Sequence, residues 1–167
     1  MQLTNHVEKK ARNSFLQKIA VIIATGLGTG YMPKAPGTWG SFLGIPVSYI
    51  INHFSNGVAF GLLGLLIALA VWSANRAINH FGNQDPGQVV VDEIAGMAFS
   101  LFAIPMDLSK IIGAFLLFRT LDIVKPFPIK QIESRFHGGL GIVIDDLAAG
   151  VGANIILQIA MRALNVW

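Results

Sequence analysis

Residues 35–75 contain no Asp, Glu, Lys or Arg. A stretch that long without formal charge cannot make the solvated surface of an ordinary soluble domain, so the chain is constrained to apolar helices packed on one another or set in lipid. The whole sequence extends the pattern. Of its 167 residues 53% are apolar and 13% charged, and its mean hydropathy is +0.61. An average soluble domain is roughly a quarter charged, so the balance points to a membrane protein. The apolar runs do not alternate with a period of two, which leaves an all-α, multi-helical bundle, membrane-embedded or membrane-associated.

The same composition excludes several function classes. A net charge of +3, with no dense basic stripe carrying interleaved aromatics, argues against a nucleic-acid partner. The absence of cysteine removes disulfides, thiolate metal sites and a cysteine nucleophile. Lys9, Lys10, Arg12 and Lys18 precede a short apolar run, but that run passes straight into Gly26-Leu27-Gly28-Thr29-Gly30 without a small-residue cleavage site. It is therefore not read as a signal peptide. The expected organisation is a basic N-terminal segment, residues 1–18, and a single helical domain, residues 19–167. Helices are expected over residues 13–25, 41–52, 58–73, 89–104, 111–124 and about 141–164, with a short amphipathic piece at 129–136. Residues 26–40, rich in Gly and Pro, read as a loop. Lys34 and Thr38 within it could help cradle a phosphate, although the Walker spacing is missing and a plain linker is the simpler reading.

Against this background five of the nine acidic residues are misplaced: Asp92 and Glu93, Asp122, and Asp145 and Asp146 all interrupt apolar runs. A buried carboxylate without a partner costs several kcal/mol, so each must gain a proton or a cation, or avoid burial. If the helices cross a bilayer alternately, the basic loops, including those with Lys34, Arg76, Lys125, Lys130 and Arg135, fall on one side, the cytoplasmic side by charge bias. His53, Asp107, Lys110 and Arg162 fall on the other. That assignment brings all three carboxylate clusters to the cytoplasmic end. Clustered carboxylates call for a hard divalent cation, and Mg²⁺ is held in this way beside phosphate. Arg119, Asp122 and Lys125, spaced three apart, would share a helix face. Either they form a structural ion pair, or Asp122 is a metal ligand beside two phosphate-binding cations. His137, in a Gly-rich turn, could protonate a leaving alkoxide, or could be only a polar loop residue. Asp85 reads as the cap of the helix that follows it.

Four ordered blocks resemble the bacterial phosphatidylglycerophosphatase A family over most of the chain, from about residue 19 to about 159. They are Gly28-Thr29-Gly30 with Pro36-Gly37-Thr38-Trp39-Gly40-Ser41; Asp85 with Val90-Val91-Asp92-Glu93-Ile94-Ala95-Gly96; Phe118-Arg119-Thr120-Leu121-Asp122 with Lys125-Pro126-Phe127-Pro128-Ile129; and His137-Gly138-Gly139-Leu140-Gly141-Ile142 with Asp145-Asp146-Leu147-Ala148-Ala149-Gly150. The resemblance implies an all-helical fold with one central helix surrounded by the others. It also implies a Mg²⁺-dependent enzyme that converts phosphatidylglycerophosphate to phosphatidylglycerol and phosphate at the bacterial cytoplasmic (inner) membrane, its site facing the cytoplasm.

On this reading Asp92, Glu93, Asp122, Asp145 and Asp146 hold one or two Mg²⁺ ions and, with His137, form the catalytic set. Lys34, Thr38, Arg119 and Lys125 bind the substrate. Water could attack directly, or one Asp could form a phosphoryl-enzyme intermediate. The alternative from another class is an intramembrane cation or proton carrier using the same carboxylates. Nothing in the sequence specifies the oligomeric state.

Overall fold

A computed structural model describes residues 14–165. Lys9, Lys10, Arg12 and the first residue of the expected 13–25 helix lie outside the described residues, as does the end of the expected N-terminal segment's basic cluster before Ser14. Among the described residues all regular structure is helical: α1 (Ser14–Ala24), a 3₁₀ turn (Thr29–Tyr31), α2 (Pro36–Asn52), α3 (Asn56–Phe81), α4 (Val91–Ser100), α5 (Leu108–Val124), α6 (Ile129–Glu133) and α7 (Gly138–Ala163).

Several boundaries depart from the sequence reading, and at three places the local reason is plain. Helix α2 begins inside the expected loop because Pro36 occupies its first turn, where a missing N–H costs nothing. Thr38 is therefore helical, and its N–H donates to Ala35 O at 2.9 Å. Helix α3 continues past residue 73 because Ala70, Ala74 and Ala77 keep a buried stripe at helical spacing. It stops where Gly82, at φ 70°, takes the left-handed cap and donates its N–H to Ile78 O. Asp85 does not cap α4: Val90 stands at that position, and the exposed Asp85 sits in a turn whose backbone is bonded on both sides by Asn83.

Helix α4 is the central helix, packed against α2, α3, α5 and α7. Seven of its residues, from Val91 to Ser100, are buried. One apolar cluster on its flank joins Met97 and Leu101 to Phe118, Ala149 and Ala153; another joins Val91 and Ala95 to Ala24, Ala74 and Val143. Small residues allow the backbones to approach. A Cβ on Gly150 of α7 would lie 2.3 Å from Gly96 O of α4, so these two helices touch main chain to main chain.

At ten residues, α4 rises only about 15 Å, half the ~30 Å hydrocarbon thickness. Its end is enclosed by protein, where open carbonyls would be costly. Amides from its neighbours meet them: Asn52 Nδ2 donates to Leu101 O at 2.8 Å, and Asn154 Nδ2 donates to Ser100 O at 3.1 Å and Phe102 O at 2.9 Å.

The outer surface is apolar, with Phe60 and Leu65 on α3, Ile112 and Leu116 on α5, and Ile155 and Ile159 on α7 exposed. Helices α3 and α7 are long and apolar enough to cross a membrane. Only 28% of the most apolar window of α3 is buried, whereas the core helix of a soluble protein would be mostly enclosed.

Candidate active site

The alternating directions of the helices bring the starts of α2, α4 and α7, the end of α5 and the turn after α3 to one end of the bundle. There they surround an open pocket of about 480 Å³. All five carboxylates singled out in the sequence line it, with Lys125 and His137. Lys34, Thr38 and Arg119 are not in its wall. Lys34 is exposed ahead of α2, and Thr38 is partly buried in that helix's first turn.

The structure sorts the five acids by partner. Asp92, Glu93 and Asp146 each offer a carboxylate oxygen, and these atoms lie within 4.8 Å of one another. Buried oxygens of the same three residues, Asp92 Oδ1, Glu93 Oε2 and Asp146 Oδ2, have no hydrogen-bond partner. Asp122 is bonded to Arg119 of its own helix, Nη1 to Oδ2 at 2.6 Å. Asp145 is paired with Lys125, Nζ to Oδ2 at 2.5 Å, and its Oδ1 is buried without a partner.

Local structure explains this division. Asp92 and Glu93 occupy the first turn of α4, where the positive end of the helix dipole favours anionic groups. Neighbours in sequence on α7, Asp145 and Asp146 point about 100° apart, so one reaches Lys125 and the other the α4 pair. Lys125 adopts the left-handed conformation (φ 45°) as the C-cap of α5, ending the helix just before Pro126. Arg119 lies behind the pocket wall, its Nη1 also 3.9 Å from Glu93 Oε1 and 3.5 Å from the Oγ of fully buried Ser41.

One further constraint was invisible in the sequence. Gly37, in the first turn of α2, leaves the space that the Glu93 carboxylate fills: a Cβ there would stand 2.0 Å from Glu93 Oε1.

Burial, then the neighbouring Glu93 and Asp146 charges, hold the Asp92 carboxyl well above its ordinary range, and burial likewise raises Glu93. Both stand on α4, outside the two long apolar helices. A group of carboxylates packed this closely, with orphaned buried oxygens, fits a hard cation with oxygen ligands. His137 is exposed at the mouth of the pocket as the N-cap of α7, and its side chain makes no capping bond.

A helical bundle with a carboxylate-lined pocket at one end, rimmed by Lys and His, defines a class of membrane-associated enzyme suited to acting on a phosphate ester. The sequence model of the family described as phosphatidylglycerophosphatase A matches residues 22–161. The chain belongs to that family. It is 38% identical to the phosphatidylglycerophosphatase A of Escherichia coli (strain K12) over 131 residues, 78% of this chain and 76% of the relative. It is 36% identical to the protein of the same name from Haemophilus influenzae over 153 residues, 87% and 93% of the two chains. A Bacteroides thetaiotaomicron protein, provisionally named a phosphatidylinositol-3-phosphatase, is 38% identical over 158 residues, 89% and 96% of the two chains. No solved structure matches the chain.

Proposed function

We propose that this phosphatase hydrolyses the terminal phosphate monoester of phosphatidylglycerophosphate, giving phosphatidylglycerol and phosphate, in bacterial phospholipid synthesis. The observation that carries the reading is the convergence of Asp92, Glu93 and Asp146 with buried, unpartnered oxygens in an open pocket. These three are the residues that would hold Mg²⁺, with Asp122 and Asp145 beside them. Mg²⁺ supplies charge neutralisation at the phosphoryl group and favours attack by water.

The chain's own residues do the rest. Lys125, at the pocket wall, offers its ammonium to non-bridging phosphate oxygens while remaining beside Asp145. A water oxygen bonds to phosphorus as the bond to the glycerol oxygen breaks; the water gives up one proton to a pocket carboxylate, and His137 gives the leaving alkoxide its proton. Arg119 reaches the reaction through Asp122 and Glu93, which it holds in place, rather than by gripping phosphate from the pocket wall. Lys34 and Thr38 serve as outer contacts to the headgroup.

The alternative, an ion carrier, needs acids along the depth of the bundle. Among the described side chains the acids gather at one end, and Asp107 at the other end is exposed. The protein would sit in the cytoplasmic membrane through α3 and α7, with the pocket facing the cytoplasm.

The test is phosphate release in detergent micelles from phosphatidylglycerophosphate, phosphatidic acid and phosphatidylinositol 3-phosphate, each with Mg²⁺ and with chelator. Metal-dependent release with the highest kcat/KM on phosphatidylglycerophosphate is expected. Preference for the inositol lipid would transfer the reading to the substrate that names the Bacteroides relative.

A further inference from the structure

We infer that Asn75 of α3 is a positioning residue for the His137 edge of the active site, an inference that rests on the proposed phosphatase reaction. Helix α7 needs acceptors for the N–H groups of its first turn, and its own N-cap supplies no side-chain acceptor, because the His137 side chain makes no capping bond. The acceptor comes from another helix. Asn75 Oδ1 takes the N–H of Gly139 at 2.7 Å, across 64 residues of sequence.

The contact is closely built. A Cβ on Gly139 would stand 2.4 Å from Val71 O and 2.5 Å from Asn75 N, and one on Gly138 would stand 2.9 Å from Asn75 Oδ1. Gly138 also has φ 69°, so the turn before α7 suits glycine twice over. With Asn75 capping from outside, the imidazole of His137 is not spent on its own helix and stays at the pocket that His137, Gly138 and Gly141 line. Asn75 does not line that pocket; it acts through the segment that does.

The experiment compares Asn75→Leu, which removes the acceptor at similar size, with Asn75→Asp, which keeps it, in detergent micelles. Amide hydrogen exchange at Gly138–Leu140 and phosphate-release kinetics are measured for each, alone and combined with His137→Ala. Asn75→Leu is expected to speed exchange at Gly139 roughly tenfold and to lower kcat by a similar factor, with Asn75→Asp close to wild type in exchange. The Mg²⁺ concentration for half-maximal activity should not move. In the His137→Ala background, Asn75→Leu should cost little more, since the two act through one group. Unchanged exchange in Asn75→Leu, or an equal loss of kcat in both backgrounds, would overturn the assignment. A wild type that releases no phosphate defeats the reaction reading alone, and the exchange comparison still decides whether Asn75 holds the turn.

Discussion

At the scale of single residues, the site is a balance between charges that repel and a frame that forbids them to separate. Arg119 fixes Asp122, Lys125 fixes Asp145, and four carboxylates, Asp92, Glu93, Asp145 and Asp146, each keep a buried oxygen with no hydrogen-bond partner. Gly37 belongs to that frame although it carries no chemistry. Gly37→Ala would push Glu93 Oε1 aside, and because that atom ends a flexible side chain, the fold can absorb the change more readily than the site can. The expected result is a loss of activity of roughly tenfold or more, from misplacement alone, with thermal stability near wild type. Steady-state kinetics beside a melting curve would check it, and a fall in stability that parallels the fall in activity would point to a packing role. The carboxylates themselves were legible in the sequence because acids inside apolar runs are costly and so demand a reason. Their division was not, since it depends on which helix each oxygen faces. Arg119 shows the limit: its spacing put it on one helix face with Asp122 and left an ion pair and a phosphate contact both open, and only the packing of α2 against α4 and α5 places the guanidinium behind the pocket wall.

At the scale of elements, the short α4 is the part that hydropathy described least well. The apolar run at 89–104 suggests one longer helix, whereas the helix ends at Ser100, where side-chain amides from α2 and α7 donate to the carbonyls at its end. Composition locates a run of apolar residues, but tertiary hydrogen bonds decide where the helix within it stops. Asn154→Leu should therefore leave the carboxylates untouched and cost stability, because Ser100 O and Phe102 O lose their donor in an enclosed region. A loss of about 1–3 kcal/mol is expected, read from unfolding in a fixed detergent mixture. The variant's Mg²⁺ requirement should match that of wild type. If Asn154→Leu proved as stable as wild type, the account of how α4 ends inside the bundle would need to change. The early start of α2 has the opposite lesson: Pro36 is a legible first-turn signal, overshadowed by the Gly and Pro around it.

At the scale of the whole molecule, the all-helical architecture follows from apolar runs that lack a period of two, and the gathering of the acids at one end follows from alternation of helix direction, so the apolar pattern sufficed to anticipate both. The close approach of Gly96 and Gly150, which makes room for a central helix, could not be read in advance. Because the sequence has no cysteine, topology can be tested on single-cysteine variants. In inverted vesicles a cysteine at Lys34 should react with an impermeant maleimide and one at His53 should not; the reverse pattern would place the pocket on the outer face.

The central claim is that the carboxylate group works by holding a divalent cation for phosphate-ester hydrolysis. Its most direct test is phosphate release from phosphatidylglycerophosphate as a function of Mg²⁺, for wild type and Asp146→Asn, with Mn²⁺ binding to each protein followed by electron paramagnetic resonance. Saturable, Mg²⁺-dependent release by wild type is expected, with both activity and Mn²⁺ binding lost in a variant of unchanged helical content. Full activity in chelator, or Asp146→Asn that binds and hydrolyses as wild type does, would contradict it.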